Sequence, residues 1–350
     1  MSLCDFLKRA SEAVGLPGYE SEIARLAREA FRPFADEVRV DRLGNSIAKK
    51  RGEGADPRPK VMLAAHMDEI GLIVTKIEER GFLRFSSLGG VDPRVLPGLE
   101  VTVHGERPVE GVVGSKPPHV LDDEERKKAF KMDDLYIDLG MSEEEVRKVV
   151  HVGDVVSFAA GCHPCGEHLS GKSLDDRAGV AAIFECMVQL SRLRHVADVY
   201  AVATVQEEVG LRGATVSAFG IVPDIGLAID VCHAHAIGLP EHKTSGMGKG
   251  PVLSLGPNVH PKVYELLEKV AKDNGIPVQT EVSPDTTGTD AWAMQVTRAG
   301  VATGVISIPL RYMHTAVEVV SPEDVRRAGR LAALFCAAVD AAFVGGLTCY

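Results

Sequence analysis

The sequence contains no apolar run long enough to cross a membrane as a helix. Roughly 18 or more consecutive apolar residues are needed to span a bilayer, and no part of this 350-residue chain approaches that length. The first residues, MSLCDFLKRASEAVG, carry Asp5, Lys8 and Arg9 in a helical pattern that is atypical of a secretory signal. We therefore expect no membrane partner and predict a cytoplasmic protein.

The chain also lacks a basic block and a paired set of cysteines. Its 39 Lys and Arg are outnumbered by 49 Asp and Glu, and the net charge of −10 argues against a nucleic-acid partner. The seven cysteines are odd in number and scattered, a pattern typical of reduced thiols. Internal repeats and low-complexity tracts are missing as well. These features predict an ordinary globular chain of about two domains.

Hydrophobic periodicity predicts both helices and strands along most of the chain. The first 35 residues have apolar positions at helical spacing, interrupted by a Gly-Leu-Pro-Gly turn at 15–18. The predicted strands of the outer segments are Glu37–Val40, Asn45–Lys49, Lys60–Ala65, Val199–Val205, Ile225–Ile229 and Val301–Ser307. The predicted helices that follow are Arg177–Leu193, Pro261–Asn274 and Pro322–Val339, the last with Ser321 as N-cap. This alternation predicts an α/β fold with a mostly parallel mixed sheet and flanking helices.

The segment between about Gly71 and Gly161 has a different pattern. Short β-type runs such as GLIVTKI, GFLRFSSL and EGVVGS are separated there by Gly and Pro. We therefore predict a small β-rich domain at 71–165, inserted into a larger α/β domain formed by 1–70 and 166–350.

Five side chains that can bind metal ions lie in or just after apolar, strand-like runs. They are His66, Asp175, Glu208, Asp230 and His314. The carboxyl ends of parallel strands lie at one edge of a sheet, so these side chains are expected to share a site. Oxygen donors mixed with imidazoles suit Zn²⁺ or Co²⁺. Five donors exceed the needs of one catalytic zinc and suit two metals roughly 3.5–4 Å apart with a shared carboxylate.

Three local patterns around these residues support metal binding. The adjacent acids Glu207-Glu208 and Asp175-Asp176 would repel each other unless cations neutralise them. Each pair has a plain alternative, a solvated turn for the first and a helix N-cap for the second. In His66-x-Asp68 the carboxylate is suited to accept the other N–H of a metal-bound imidazole, although a structural histidine fits the same spacing.

The segments AHMDEIG, LDDRAG, QEEVGLRGA and SIPLRYMHT resemble the signature segments of the TET-type dinuclear metal aminopeptidases. That family includes glutamyl, leucyl and lysyl aminopeptidases, some of them labelled cellulase M or endoglucanase M. The resemblance covers essentially the whole chain. It implies an aminopeptidase that acts on short peptides and assembles through dimers, formed by the inserted domain, into a hollow dodecamer.

The resemblance also implies roles for individual residues. Asp175 would bridge the two metals, and it is preferred to Asp176 because the first acid of the pair bridges in similar enzymes. Glu207 would be the general base and Asp68 the partner of His66. One metal would be held by His66 and Asp230, and the other by Glu208 and His314.

Other interpretations start from different motifs. Gly166–Ser173 (GEHLSGKS) matches the phosphate-loop pattern, with Gly226–Asp230 as a companion strand, and would indicate a nucleotide-dependent enzyme. Gly161–Cys165 separates that motif from its strand, however, and Leu174–Asp176 delays the helix. A glycoside hydrolase would need two carboxylates across a sugar. A non-catalytic assembly or peptide-binding protein is a third possibility, which the full donor set disfavours.

Two further segments carry open predictions. Cys162-x-x-Cys165, with His163 and His168 nearby, suits a structural zinc or redox chemistry, but a plain loop with free thiols is favoured. Thr287–Ala291 and Ser245–Gly250 are candidate loops of the substrate pocket, and His233 and His235 are candidate substrate contacts.

Overall fold

The computed structural model describes residues 1–122 and 131–348. The chain begins with helices α1 (Leu3–Glu12) and α2 (Ser21–Phe31), then strands β1 (Glu37–Val40), β2 (Ser46–Lys50) and β3 (Lys60–His66). Helix α1 starts at a capping box, in which Ser2 and Asp5 bond each other's backbone N–H. These elements agree with the predicted pattern to within a residue or two.

The middle of the chain forms a closed antiparallel barrel. Its strands are β4 (Gly71–Ile77), β5 (Leu83–Leu88), β6 (Glu100–His104), β7 (Pro108–Ser115), β8 (Leu135–Asp138) and β9 (Val155–Phe158), and a short helix α3 (Glu143–Val146) follows β8. They are joined in the order β4-β5-β8-β7-β6-β9, and β9 pairs again with β4. The barrel has its own apolar core, centred on residues such as Leu72, Val101 and Ile137. The predicted β-rich insertion is thus present; its role in dimer formation stays a prediction.

The rest of the chain completes the large sheet and its helices. The elements are β10 (His163–Cys165), β11 (His168–Gly171), α4 (Leu174–Leu190), β12 (Asp198–Thr204), α5 (Arg212–Ile221), β13 (Ile225–His233), β14 (Val252–Leu255), α6 (Pro261–Asp273), β15 (Gln279–Val282), α7 (Asp290–Gln295), β16 (Ala302–Arg311), β17 (Glu318–Val320), α8 (Pro322–Ala338) and α9 (Ala341–Gly345). The sheet order is β1-β2-β12-β3-β13-β16-β17-β11-β10, with β14 and β15 branching from β16.

The sheet is covered by helices on both faces, which explains the continuous apolar run of β3. Val61 and Leu63 belong to the core shared with α1, α2, α4 and α8, whereas Met62 and Ala64 belong to the core shared with α5 and α7. Successive side chains of a strand point to opposite faces, so both sets must be apolar. The predicted α/β fold with a mostly parallel mixed central sheet is confirmed.

The register of the central strands brings the predicted site residues together. Strand β3 runs parallel to β12, with His66 beside Thr204, and parallel to β13, with Ala64 beside Ala228. Two residues further along, His66 and Asp230 lie next to each other. Strand β13 continues to His233, four residues beyond the predicted end at Ile229.

The phosphate-loop motif does not form a phosphate loop. His168–Gly171 is strand β11, which pairs antiparallel with β10 and β17. Lys172 and Ser173 are buried, and both bond the Glu69 carboxylate, with 2.5 Å from Lys172 Nζ to Glu69 Oε2. The lysine is therefore already occupied by an internal carboxylate, and the nucleotide-dependent alternative is not favoured.

The Cys162–Cys165 segment was predicted as a plain loop with free thiols, and the loop prediction is wrong for His163–Cys165. His163–Cys165 and His168–Gly171 form a hairpin, because Gly166 supplies the positive φ of 62° that a two-residue turn needs. The six cysteines within the described residues are all free, and Cys349 lies outside them. Neither Cys162 nor Cys165 belongs to a cluster of three metal donors in that part of the chain.

The buried ion pair between Lys172 and Glu69 is expected to contribute strongly to stability. Both side chains are almost fully buried, and the Arg177 guanidinium lies 3.8 Å from the same carboxylate. Removing Lys172 leaves the buried Glu69 carboxylate with only the longer contact to Arg177, so we expect Lys172→Met to lower the free energy of unfolding by about 3 kcal/mol. Lys269→Met, which breaks the exposed pair with Asp273, should cost less than about 1 kcal/mol. Urea unfolding of both variants measures the difference, and equal costs would contradict the structural role of Lys172.

Within the described residues, no helix combines the length and apolar character required to span a bilayer.

Candidate metal centre

One cavity at the carboxyl edge of the parallel strands contains all the predicted metal donors. It has a volume of about 350 Å³. His66 ends β3, Asp230 lies in β13, and Glu208 and His314 follow β12 and β16 by a few residues. Its lining includes the five predicted donors and the adjacent Glu207, namely His66, Asp175, Glu207, Glu208, Asp230 and His314.

Asp175 lies at the centre of this group, with its two carboxylate oxygens directed to different imidazoles. Its Oδ1 is 3.1 Å from His66 Nε2, and its Oδ2 is 3.3 Å from His314 Nε2. Asp175 and Asp176 have non-helical backbone angles at the start of α4, so regular helical geometry begins at Arg177, where the sequence predicts it. The helix ends at Leu190, three residues before the predicted end.

Asp176 is placed differently from Asp175. Its carboxylate is fully buried, accepts a hydrogen bond of 2.9 Å from Gly179 N, and does not line the cavity. Burial and the nearby Asp230 raise its pKa well above the usual value for an aspartate. Of the two adjacent acids, Asp175 is the one that faces the other donors.

The donors fall into three groups whose ligand atoms lie within 4.8 Å of one another. One consists of His66, Asp175 and Asp230, and another of Asp175, Glu208 and His314. These two groups share only Asp175. The third group, formed by His66 with Glu207 and Glu208, lies between them.

Both imidazoles present Nε2 to the cavity because Nδ1 is engaged elsewhere. His66 Nδ1 lies 3.1 Å from the backbone carbonyl of Asp68, and His314 Nδ1 lies 2.9 Å from that of Gly90 in the barrel segment. An Nδ1–H that donates to a carbonyl leaves Nε2 free to bind a metal. A Cβ at Gly90 would lie 2.7 Å from the His314 ring, so this close approach requires glycine.

The Asp68 carboxylate holds the turn that carries the two adjacent glutamates. It accepts hydrogen bonds from the backbone N–H groups of Glu207 (2.9 Å) and Glu208 (3.1 Å), and it lies 3.6 Å from His66 Nδ1. Asp68 is fully buried. The side chain therefore fixes the backbone of one donor and one candidate base at the same time.

Glu318, which the sequence analysis did not identify, connects the two other donor-bearing segments. Its buried carboxylate accepts hydrogen bonds from the backbone N–H groups of Asp175 (3.0 Å) and His314 (2.9 Å). A charged residue inside the apolar segment AVEVV was the available signal. Asp290, in the predicted pocket loop Thr287–Ala291, is buried and accepts a 2.6 Å hydrogen bond from Thr204 Oγ1, and its Oδ1 has no hydrogen-bond partner among the described residues.

The protonation of the cluster reflects its crowding with carboxylates. Burial, reinforced by neighbouring carboxylates, raises the pKa of Glu207 to about 10, of Asp230 to about 8 and of Glu208 to about 7. The hydrogen bond to Asp175 raises the pKa of His314 to about 9. Like charges this close require protons or cations, so the donor chemistry fits divalent metals.

These shifts predict how pH affects the metal-free and metal-loaded forms. Between the ordinary carboxylate range and about pH 9, the metal-free folded site binds more protons than the unfolded chain, so its stability falls as pH rises. Metal ions displace those protons and remove this trend, so the stabilisation by bound metal increases with pH by about 1.4 kcal/mol per displaced proton and pH unit. We expect the rise in Tm caused by Zn²⁺, relative to chelator-treated protein, to be larger at pH 8.5 than at pH 6. A rise that is smaller at pH 8.5 would contradict the assigned shifts.

The fold and the donor set together define a metal-dependent hydrolase. Comparison with known proteins gives the family: the M42 glutamyl aminopeptidase family matches residues 44–331. The lysyl aminopeptidase of Pyrococcus furiosus is 42% identical over 337 residues, covering 94% of this chain and 95% of that protein. The chain belongs to the M42 family and is an aminopeptidase, a hydrolase of peptide bonds.

Solved structures agree with this assignment. The TET aminopeptidase of the marine sediment archaeon Thaumarchaeota archaeon SCGC AB-539-E09 matches with a TM-score of 0.94 and 36% identity, covering 99% of both chains. The Pyrococcus horikoshii TET1 peptidase, which can assemble into a tetrahedron or a large octahedral shell, matches with a TM-score of 0.85 and 32% identity, covering 97% of this chain and 100% of that one. The predicted family is confirmed, and the glycoside hydrolase alternative is not favoured.

The cavity contains some of the other residues that were predicted to line the substrate pocket, but not all of them. Thr287, Gly288, Thr289 and His233 line the cavity. The Ser245–Gly250 segment does not line it, and His235 lies in a separate depression beside Arg311.

Proposed function

We propose that the cavity holds two divalent metal ions, Zn²⁺ or Co²⁺, and removes N-terminal residues from short peptides. The observation that carries this proposal is the position of Asp175, whose two oxygens face His66 and His314 separately. His66 and Asp230 would hold one ion, Glu208 and His314 would hold the other, and Asp175 would be shared by both. When bound, two such ions lower the pKa of a shared water and polarise the scissile carbonyl.

Glu207 acts as general base and then as general acid. Its carboxylate lines the cavity, and its Oε2 lies 3.9 Å from His66 Nε2. It accepts a proton from the attacking water, and after the C–N bond breaks it donates that proton to the nitrogen of the leaving peptide. Metal ions would bring the high pKa of this residue down into the range that a base requires. Asp68 keeps Glu207 in position through its backbone N–H.

We also propose that the chain forms dimers through the barrel domain, residues 71–165. These dimers would assemble into a hollow dodecamer. A closed particle with tetrahedral rotational symmetry has twelve equivalent positions, and the related TET1 peptidase can form a tetrahedron. Enclosed sites would restrict substrates to short peptides. We place the enzyme in the cytoplasm, where the free cysteines of the described residues would remain reduced. Light scattering of the purified protein tests the assembly, and a monomer as the stable species would contradict it.

A substrate panel tests the proposed activity. Metal-loaded protein is given aminoacyl chromogenic substrates, each free and N-acetylated, with and without a chelator. We expect cleavage of free substrates alone, lost on chelation and restored by Zn²⁺ or Co²⁺. Chelator-resistant cleavage, or equal cleavage of the acetylated substrates, would contradict the proposal.

A further inference from the structure

One carboxylate of the cavity belongs to none of the donor groups. Glu281 lies in β15, directly opposite Ser254 of the parallel strand β14, and both residues line the cavity that contains the metal donors. None of the three groups of converging donors includes Glu281. The side chain is exposed, so it is available to a molecule that enters the cavity.

Among residues 1–122 and 131–348, Glu281 has no cationic partner of its own. No Lys or Arg of those residues lines this cavity, and none of their ion pairs within 4.0 Å includes Glu281. Partial loss of hydration at the cavity wall raises its pKa, and the nearby His233 acts in the opposite direction. An entering cation would favour the ionised form of this carboxylate.

The walls around Glu281 leave space for a long side chain. Their polar part is formed by Ser254, Ser283, Thr287, Thr289 and Ser307, and their apolar part by Val231, Val305 and Met313. The hydroxyl groups can bond the polar tip of a long side chain, and the apolar residues can pack against its methylene stem. An acidic side chain of the substrate would be repelled by the Glu281 carboxylate, because the cavity offers it no Lys or Arg of the described residues.

We propose that Glu281 selects substrates whose N-terminal residue is lysine or arginine, by pairing with the side-chain cation. The two metals of the proposed function would neutralise the donor carboxylates, and Glu207 is the proposed base, which leaves Glu281 as the acidic group of the cavity that has no other role. This inference rests on the aminopeptidase activity proposed above, and it assigns the preferred residue.

The test compares kcat/KM for Lys, Arg, Leu and Glu chromogenic substrates between the parent enzyme and three variants. Loss of a hydrogen bond to a charged group corresponds to about tenfold to hundredfold, so we expect Glu281→Gln to reduce kcat/KM for Lys and Arg by that factor. Hydrolysis of the Leu substrate should be nearly unchanged, which also shows that the variant is folded. Glu281→Lys should favour the Glu substrate over Lys. Glu268→Gln removes an exposed acid of helix α6, outside the cavity, and should change nothing.

The possible results separate the two claims. A parent enzyme that prefers Lys and Arg, with a preference lost in Glu281→Gln, supports the inference. If the parent cleaves the Leu substrate but prefers Glu, or if Glu281→Gln keeps the parental Lys to Leu ratio, the inference is overturned and the proposed function stands. Failure of the parent on every free substrate, with metals bound, overturns the proposed function and the inference together.

Discussion

Glu207→Gln is expected to lower kcat by roughly 10²- to 10⁴-fold while the protein keeps both metal ions. The amide has nearly the shape of the carboxylate but cannot take a proton from water. The backbone N–H of residue 207 would still bond Asp68, so the turn should be preserved. Single-turnover kinetics together with the metal content of the same sample measures both properties.

The neighbouring residue provides a matched control. Glu208→Gln makes the same chemical change one position along the chain, but Glu208 Oε1 lies 3.5 Å from His314 Nε2 and belongs to the donor group of Asp175 and His314, which does not include Glu207. We expect that variant to bind less metal and to recover activity at high metal concentration. If Glu207→Gln lost metal and Glu208→Gln did not, the roles of the two residues would have to be exchanged.

Asp175→Asn should cause the largest loss of metal among single substitutions. The two groups that form the proposed metal sites share only this residue, so its removal weakens both sites at once. Asp230→Asn, by contrast, removes a donor from one group only. Metal analysis after dialysis should give the lowest content for Asp175→Asn, with an intermediate value for Asp230→Asn and no activity in the former.

Asp176→Asn is the control for the adjacent acid. Its Oδ1 accepts a hydrogen bond from Gly179 N, which an asparagine oxygen can also accept. Because burial already raises the pKa of Asp176, a neutral amide should be tolerated. We therefore expect it to keep both metals. Loss of both metals from Asp176→Asn, with Asp175→Asn unaffected, would show that Asp176 is the bridging acid.

The central strands and the donors they carry could be predicted from the sequence. Buried parallel strands are continuous apolar runs, so a charged residue at the end of KVMLAAH or within GLAID is conspicuous. The predicted strand at Lys60–Ala65 differs from β3 by one residue for this reason. The donors then converge because parallel strands present their carboxyl ends at one edge.

The supporting contacts could not be predicted in the same way, because they depend on long-range pairing. Glu318 meets Asp175 only because β17 pairs with β11, which directly precedes α4. Glu281 reaches the cavity only because β15 is added to β14 at the branch of the sheet. The hairpin at His163–Gly171 was missed because Cys, His and Pro obscure its alternation, although Gly166 marks its turn. Short edge strands of three or four residues carry too few positions for a period to emerge.

Anomalous diffraction at the zinc edge from crystals of the Zn²⁺-loaded enzyme tests the central claim most directly. Our account predicts two peaks roughly 3.5–4 Å apart, one on each side of the Asp175 carboxylate. One peak should lie near His66 and Asp230, and the other near Glu208 and His314. A single peak in a fully active crystal, or a pair of peaks that does not flank Asp175, would contradict the two-metal site.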